Sequence, residues 1–361
     1  MQWKRTLGVI VTAWTGLVGC SSPDLEARAS GPETIGRASG AEAVRSPREA
    51  REGGGEVSAS WLSRPEQPEE LGWVAWSRDW DGAVAESRAS GKPMLVLFDE
   101  VPGCHTVLTY GRGVLSHPLV VEAAETLFVP VVVYNNVQGR DAELLRSFGE
   151  PSWNNPVVRI IDADREALAP RLAGDYSVGG LAEAMVEALR GDAPRWLALL
   201  AEESTARRDG TARQVFSMYC FWSGEAGLGG IDGVVETRPG FAGGREVVEV
   251  TYDPDAITRD ALIREADGVG RAMGAEAVRA SDKDDKYNLA HTSWRHVPMT
   301  PLQASRANAL VARRQDPAAL FSPRQRWLHA RSARGSGEGW PVHLGRGGLR
   351  AAFDEVAAVA R

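Results

Sequence analysis

Three apolar runs mark the first half of the chain: Met94 to Phe98, Val129 to Tyr134, and Val157 to Ile161, the last broken only by Arg159. Runs of this length and apolarity fit strands buried on both faces. Helical patterning lies around them, in Asp81 to Ala89 (stopped by Gly91-Lys92-Pro93), Pro118 to Thr126 and Gly180 to Arg190. Strands alternating with helices predict an α/β unit. The second half has another rhythm. Arg213 to Tyr219, Ile231 to Phe241 and Arg245 to Tyr252 read as strands, a helix follows Cys220, and Ile257 to Glu265 forms a further helix. The order β-α-β-β predicts helices packed on one mainly antiparallel sheet, an α+β arrangement.

The ends lack this patterning. Lys4 and Arg5 precede a mostly apolar stretch, Leu7 to Gly19, too short to span a bilayer and patterned as an export signal. It closes with Leu17-Val18-Gly19-Cys20, which resembles the bacterial lipobox. That resemblance implies a signal peptide over residues 1–19 and a lipid anchor on the Cys20 thiol. With Ser21 and Ser22 following, the expected address is the periplasmic face of the outer membrane. Between Ser21 and Ser60 the large apolar residues are Leu25, Ile35, Val44 and Val57, and no aromatic occurs. Such a stretch cannot offset the entropy of ordering, so residues 20–70 are expected to be a disordered tether. The expected domains are 71–192 and 207–330, with a loose extension, 331–361, that ends in a helix from Leu349.

The full length of 361 residues leaves room for about two domains. A net charge of −7, from 41 Lys+Arg against 48 Asp+Glu, argues against a general polyanion binder, and no nucleic-acid partner is expected. Cys20, Cys104 and Cys220 are too few for a disulfide scaffold. Each needs its own explanation. His117, His291, His296, His329 and His343 show no metal spacing, and no motif calls for flavin, nicotinamide or metal.

A Trp-rich lead-in (Trp73, Trp76, Trp80), Gly-Lys-Pro before a buried strand, a Cys at the following strand-to-helix turn, and Asn155-Pro156 before the next strand resemble the thioredoxin family. The loop Val101-Pro102-Gly103-Cys104-His105-Thr106 is similar to a bacterial thioredoxin-like group with Cys or selenocysteine at its redox position. The resemblance implies that Cys104 is redox-active and that Pro156 is the cis-proline lying against it. A thiol at a helix N-terminus faces the positive end of the dipole and free N–H groups, which favours thiolate. One departure stands out. Val107 occupies the place of the second Cys in Cys-x-x-Cys, so Cys104 lacks a resolving partner in its own loop.

In the second half, Tyr219-Cys220-Phe221-Trp222-Ser223-Gly224-Glu225, then Phe241-Ala242-Gly243-Gly244, then Glu246 to Pro254 match in order three motifs of the A-type peptide methionine sulfoxide reductases. The resemblance implies Cys220 as nucleophile and Phe221 and Trp222 as a pocket for the sulfoxide methyl. It also implies Phe241 in place of a Tyr that holds the oxygen, Glu246 as a general acid kept neutral by burial, and Tyr287 as a second tyrosine. Burial of Phe221 and Trp222 in an ordinary core, and solvation of Glu246, remain the plain alternatives. The family's loop between Gly-Gly and the Glu is nearly absent, Lys286 replaces a Gln, and no Cys follows Cys220.

Since each half lacks its own resolving thiol, one expectation joins them. Cys220 reduces methionine S-sulfoxide in envelope proteins, Cys104 resolves the resulting sulfenic acid, and an external thiol reopens the disulfide. Two alternatives stand beside it: a thiol peroxidase or disulfide oxidoreductase centred on Cys104, and a non-catalytic peptide-binding lipoprotein.

Overall fold

The computed structural model describes residues 59–274, 277–335 and 337–360. The signal peptide, Cys20 and most of the tether lie outside these residues.

The first unit runs α1 (Trp80–Ser90), β1 (Met94–Asp99), α2 (His105–Gly113), α3 (Pro118–Leu127), β2 (Val129–Tyr134), α4 (Arg140–Ser147), β3 (Val157–Ile161), β4 (Leu172–Ala173) and α5 (Val178–Leu189). Asp79 caps α1 by accepting from the Gly82 N–H, and Gly91 ends it in the left-handed conformation at φ 70°. The sheet order is β2-β1-β3-β4. β1 is parallel to β2 and antiparallel to β3. β1 is buried at all six positions because helices cover both sheet faces: Leu95 and Leu97 join one core, and Met94, Val96 and Phe98 the other.

The second unit contains β5 (Ala212–Ser217), α7 (Phe221–Leu228), β6 (Val234–Ala242), β7 (Arg245–Tyr252), α8 (Arg259–Glu265), β8 (Arg271–Ala272), β9 (Arg279–Ala280), α9 (Tyr287–Ala290), α10 (Pro301–Ala312), α11 (Pro323–Arg334) and α12 (Leu349–Ala360). Between the two units stands α6 (Arg195–Asp209). The second sheet is antiparallel throughout, in the order β8-β5-β7-β6-β9. Gly243 and Gly244, at φ 55° and 74°, form a two-residue turn between β6 and β7, with Ala242 paired to Arg245. Positive φ at both turn positions suits the twist of a tight hairpin, so this connection needs no longer loop.

Three boundaries differ from the sequence expectation. The segment between the domains is the helix α6, not a free linker. Its Trp196, Leu197, Leu200 and Ala201 join the first core, while Leu199 joins Trp294, Leu302 and Phe321 of the second unit. Each fully buried side chain of this kind contributes roughly 1.5–3 kcal/mol, enough to hold the helix in place. Residues 59–70, assigned to the tether, also pack. Trp61 meets Trp327 and Phe353 edge-on, and Leu62 is buried. The extension is not loose: α12 buries Phe353, Val356 and Ala360 against Leu328, and Arg350 donates to the Ser116 carbonyl at 2.7 Å.

Polar contacts join the units as well. The buried Glu122 carboxylate of α3 accepts from the Ser322 hydroxyl and, at 2.7 Å, from the Arg324 N–H at the start of α11. It satisfies donors that a helix N-terminus leaves open. Burial pushes its carboxyl up to about 7 despite Arg324 nearby.

Candidate functional site

Cys104 is the N-cap of α2, exposed and unpaired, with φ −74° and ψ 178°. Val107, in place of the second cysteine, is fully buried. Asn155–Pro156 is cis, as is Val101–Pro102. His105 does not turn toward a charge: its Nε2 lies 3.4 Å from Thr109 Oγ1, one turn along α2.

Under this loop the structure holds polar groups that the sequence pattern did not single out. Asp99, at the end of β1, is fully buried, and burial pushes its carboxyl up to about 8. One of its oxygens accepts from the Glu100 N–H at 3.1 Å; the other, the Tyr110 hydroxyl and the Asn135 side-chain amide have no hydrogen-bond partner among the described residues. Glu70 accepts from the Gly103 N–H at 3.0 Å, fixing the residue before Cys104.

Cys220 is likewise an N-cap, at φ −140° and ψ 117°, half-buried and unpaired, opening α7 where β5 ends. The helix begins here because the Cys220 carbonyl accepts from the Gly224 N–H at 3.1 Å and the Ser223 hydroxyl at 3.0 Å. Glu246 Oε2 accepts from the Phe221 N–H at 2.8 Å, which sets a carboxylate one residue from the thiol, at the positive end of α7. Trp222 stacks on Tyr287 with centroids 4.0 Å apart and planes 16° off parallel, and the Tyr287 ring in turn meets His291 at 4.3 Å. A cavity of about 440 Å³ opens there, lined by Cys220, Trp222, Ser223, Tyr287, Asn288 and by Ala309, Ala312 and Arg313 at the end of α10. That volume falls within the roughly 300–1,000 Å³ of small-ligand sites.

The geometry changes three expectations. Phe221 does not line the cavity: it is buried in the second core, where it meets the Phe241 edge at 5.5 Å. The aromatic wall is Trp222 and Tyr287 instead. Phe241 carries the Arg279 guanidinium 5.0 Å above its ring, also outside the cavity lining. Glu246 is half-buried, not fully buried as expected, and accepts a backbone N–H.

Full burial belongs to a different acid. Glu225, on α7, accepts from the Lys286 ammonium at 2.7 Å and the Lys286 N–H at 2.8 Å, with the Thr237 hydroxyl at 3.2 Å. Lys286 also donates to Asp285 at 2.8 Å, and Arg346 from the C-terminal segment donates to the other Asp285 oxygen at 2.7 Å. Burial raises the Glu225 carboxyl. Burial also works against the Lys286 charge, but the two carboxylates outweigh it and hold the ammonium above its ordinary value. Lys286 sits in the left-handed region at φ 49°, which starts α9 and delivers Tyr287 to Trp222.

Among the described residues no group of three or more His, Cys, Asp or Glu side chains could hold a metal ion. His329 stacks on Trp294 at 3.7 Å, and His296 Nδ1 lies 2.9 Å from the Pro341 carbonyl.

Two thiols stand at helix N-termini, Cys104 in the α/β part of the chain and Cys220 in the α+β part. Comparison with known proteins gives the relationships. Residues 75–163 match the thioredoxin-like family, so the first unit is a thioredoxin-like domain. The chain is also 38% identical over 72 residues to the peptide methionine sulfoxide reductase MsrA of Methylococcus capsulatus, covering 15% of this chain and 32% of that one. It is 37% identical over 73 residues to the MsrA of Salinispora tropica, covering 16% and 33%, and 37% identical over 70 residues to that of Methanococcus maripaludis, covering 15% and 45%. The chain thus spans between a third and a half of the length of these reductases. A solved structure titled DsbH Oxidoreductase is 18% identical, with a TM-score of 0.26 over 31% of this chain and 81% of its own.

Proposed function

We propose that the protein reduces methionine S-sulfoxide in peptides or proteins, with Cys220 as nucleophile. The observation that carries this is the convergence on one cavity of Cys220, Trp222 and the distant Tyr287, with the Glu246 carboxylate bonded to the N–H beside Cys220. Thiolate attack on the sulfoxide sulfur forms an S–S bond to Cys220. The oxygen takes up a proton, which Glu246, once protonated, is placed to give. The oxygen then passes to Cys220, leaving methionine as thioether and Cys220 as sulfenic acid. The sulfoxide is reduced by two electrons and the thiol oxidised by two. Trp222 and Tyr287 offer the methyl group an apolar wall.

Regeneration needs a second thiol. Cys104, exposed at its helix N-terminus, attacks the sulfenic sulfur in this proposal, forming a Cys104–Cys220 disulfide and releasing water; an external dithiol then reduces the disulfide. Lipidation at Cys20, and with it residence in the bacterial envelope, belongs to the same proposal and rests on the sequence alone. A disulfide oxidoreductase or thiol peroxidase centred on Cys104 is the competing reading, favoured by the exposure of that thiol. One experiment separates them. A Cys104→Ser variant given one equivalent of sulfoxide peptide releases one methionine and stalls with Cys220 as sulfenic acid, trapped by dimedone and mapped by mass spectrometry. Release of no methionine, with dimedone absent from Cys220, refutes the proposal.

A further inference from the structure

The cavity beside Cys220 is a groove between two helices. On one wall stand Trp222 and its neighbours on α7; on the other, Ala309, Ala312 and Arg313 follow at helical spacing along the end of α10. Arg313 is the single charged side chain in the lining. Its guanidinium is drawn in against the chain beyond α7: a Cβ added to Gly230 would come within 2.9 Å of Nη2, so glycine there leaves the group its space. Yet among the described residues Arg313 has no carboxylate within ion-pair distance and its side chain makes no hydrogen bond. Arg306, two turns earlier on the same helix, is neutralised by Glu202 at 3.4 Å and Asp232 at 3.6 Å.

We propose that Arg313 binds a carboxylate of the substrate and so makes the site selective for methionine sulfoxide with a carboxylate close to it; this rests on Cys220 being the sulfoxide-reducing thiol. A guanidinium presents paired N–H groups that match a carboxylate in two parallel bonds. The small side chains of Ala309 and Ala312 leave the space between the thiol and Arg313 open, and the aromatic wall takes the thioether arm. The carboxylate has two sources, the α-carboxylate of a terminal or free methionine sulfoxide and an Asp or Glu side chain beside an internal one. Because Arg313 is exposed, the preference is modest, about two- to fivefold in KM, as expected of a solvent-accessible pair.

The test compares matched substrates with the full chain and dithiothreitol as reductant. One pair is N-acetyl-methionine S-sulfoxide and its methylamide. The other is an internal sulfoxide peptide, capped at both ends, with Asp or Asn beside the sulfoxide. The proposal expects the acid of at least one pair to have the lower KM by about two- to fivefold, and which pair shows it identifies the source. Arg313→Gln brings that KM ratio to about one, and Arg313→Lys restores part of it. Equal KM values in both pairs, or a ratio unchanged by Arg313→Gln, overturn the proposal. Should wild-type protein turn over none of these substrates, the sulfoxide-reductase reading fails, and Arg313 is judged on binding alone. In Cys104→Ser protein, N-acetyl-methionine is then expected to protect Cys220 from iodoacetamide at lower concentration than its methylamide. Equal protection by the two overturns the carboxylate site as well.

Discussion

Replacing Lys286 by Met isolates the buried charge cluster beside the proposed site. Lys286 is 2% exposed, Glu225 is fully buried and Asp285 is 4% exposed, so the ammonium is cut off from water and its charge is met by the two carboxylates. Its three bonds reach Glu225, Asp285 and the Thr237 carbonyl. After the substitution Asp285 keeps Arg346, but Glu225 keeps only the Lys286 backbone N–H and the Thr237 hydroxyl. Removing one partner of a buried pair typically costs about 3–5 kcal/mol; the retained bonds place this case near about 3 kcal/mol. The cost also depends on pH. A carboxyl held above its unfolded value contributes stability that is present below about 4.5 and lost as pH rises through the folded value. Without Lys286 that value climbs further, so the deficit grows from pH 5.5 to pH 8. Urea unfolding of wild-type and Lys286→Met protein at the two pH values measures it, and Glu225→Gln added to Lys286→Met recovers most of the loss. A deficit under about 1 kcal/mol that does not change with pH would mean that Lys286 and Glu225 do not form a buried pair, whose breaking costs more than that.

Two further outcomes follow from buried or bonded carboxylates. Asp99→Asn removes a group whose stability contribution is lost as pH rises from about 4 through about 8, so the gain in melting temperature over wild type grows between pH 5 and pH 8 and levels off above; a constant difference counts against the burial of that charge. Glu246→Gln slows sulfoxide turnover by about 10²–10⁴-fold, as removal of a general acid does, while circular dichroism stays native; a rate equal to wild type excludes Glu246 from proton transfer.

The strands were legible because β1, β2, β5 and β7 carry near-continuous or alternating apolar residues, a signal local to each segment. The place of Trp222 beside Cys220 was legible for the same reason: Cys220, Phe221 and Trp222 are adjacent in sequence, and the helix that starts with them turns Trp222 to the cavity and Phe221 to the core. What stayed hidden depends on long-range packing. Helix α6 is charged along much of its length, and its role shows only when Trp196 and Leu197 meet one core and Leu199 another. The division of labour between Phe221, turned inward, and Tyr287, turned to the cavity, follows from how α9 lies on α7. Glu225 and Lys286 stand apart by 61 positions, and nothing in the pattern of either segment announces a buried pair. The Asp99 carboxylate could have been noticed as a charge closing an apolar strand, a sequence feature that marks either a strand end or a buried acid.

The proposed function makes Cys220 a stereospecific methionine sulfoxide-reducing thiol. It is tested most directly by the steady-state rate of the full chain, with dithiothreitol, on the separated S and R epimers of one methionine sulfoxide peptide. Turnover of the S epimer alone, abolished in Cys220→Ala, is expected. No turnover of either epimer, equal rates on both, or activity that survives in Cys220→Ala would contradict it.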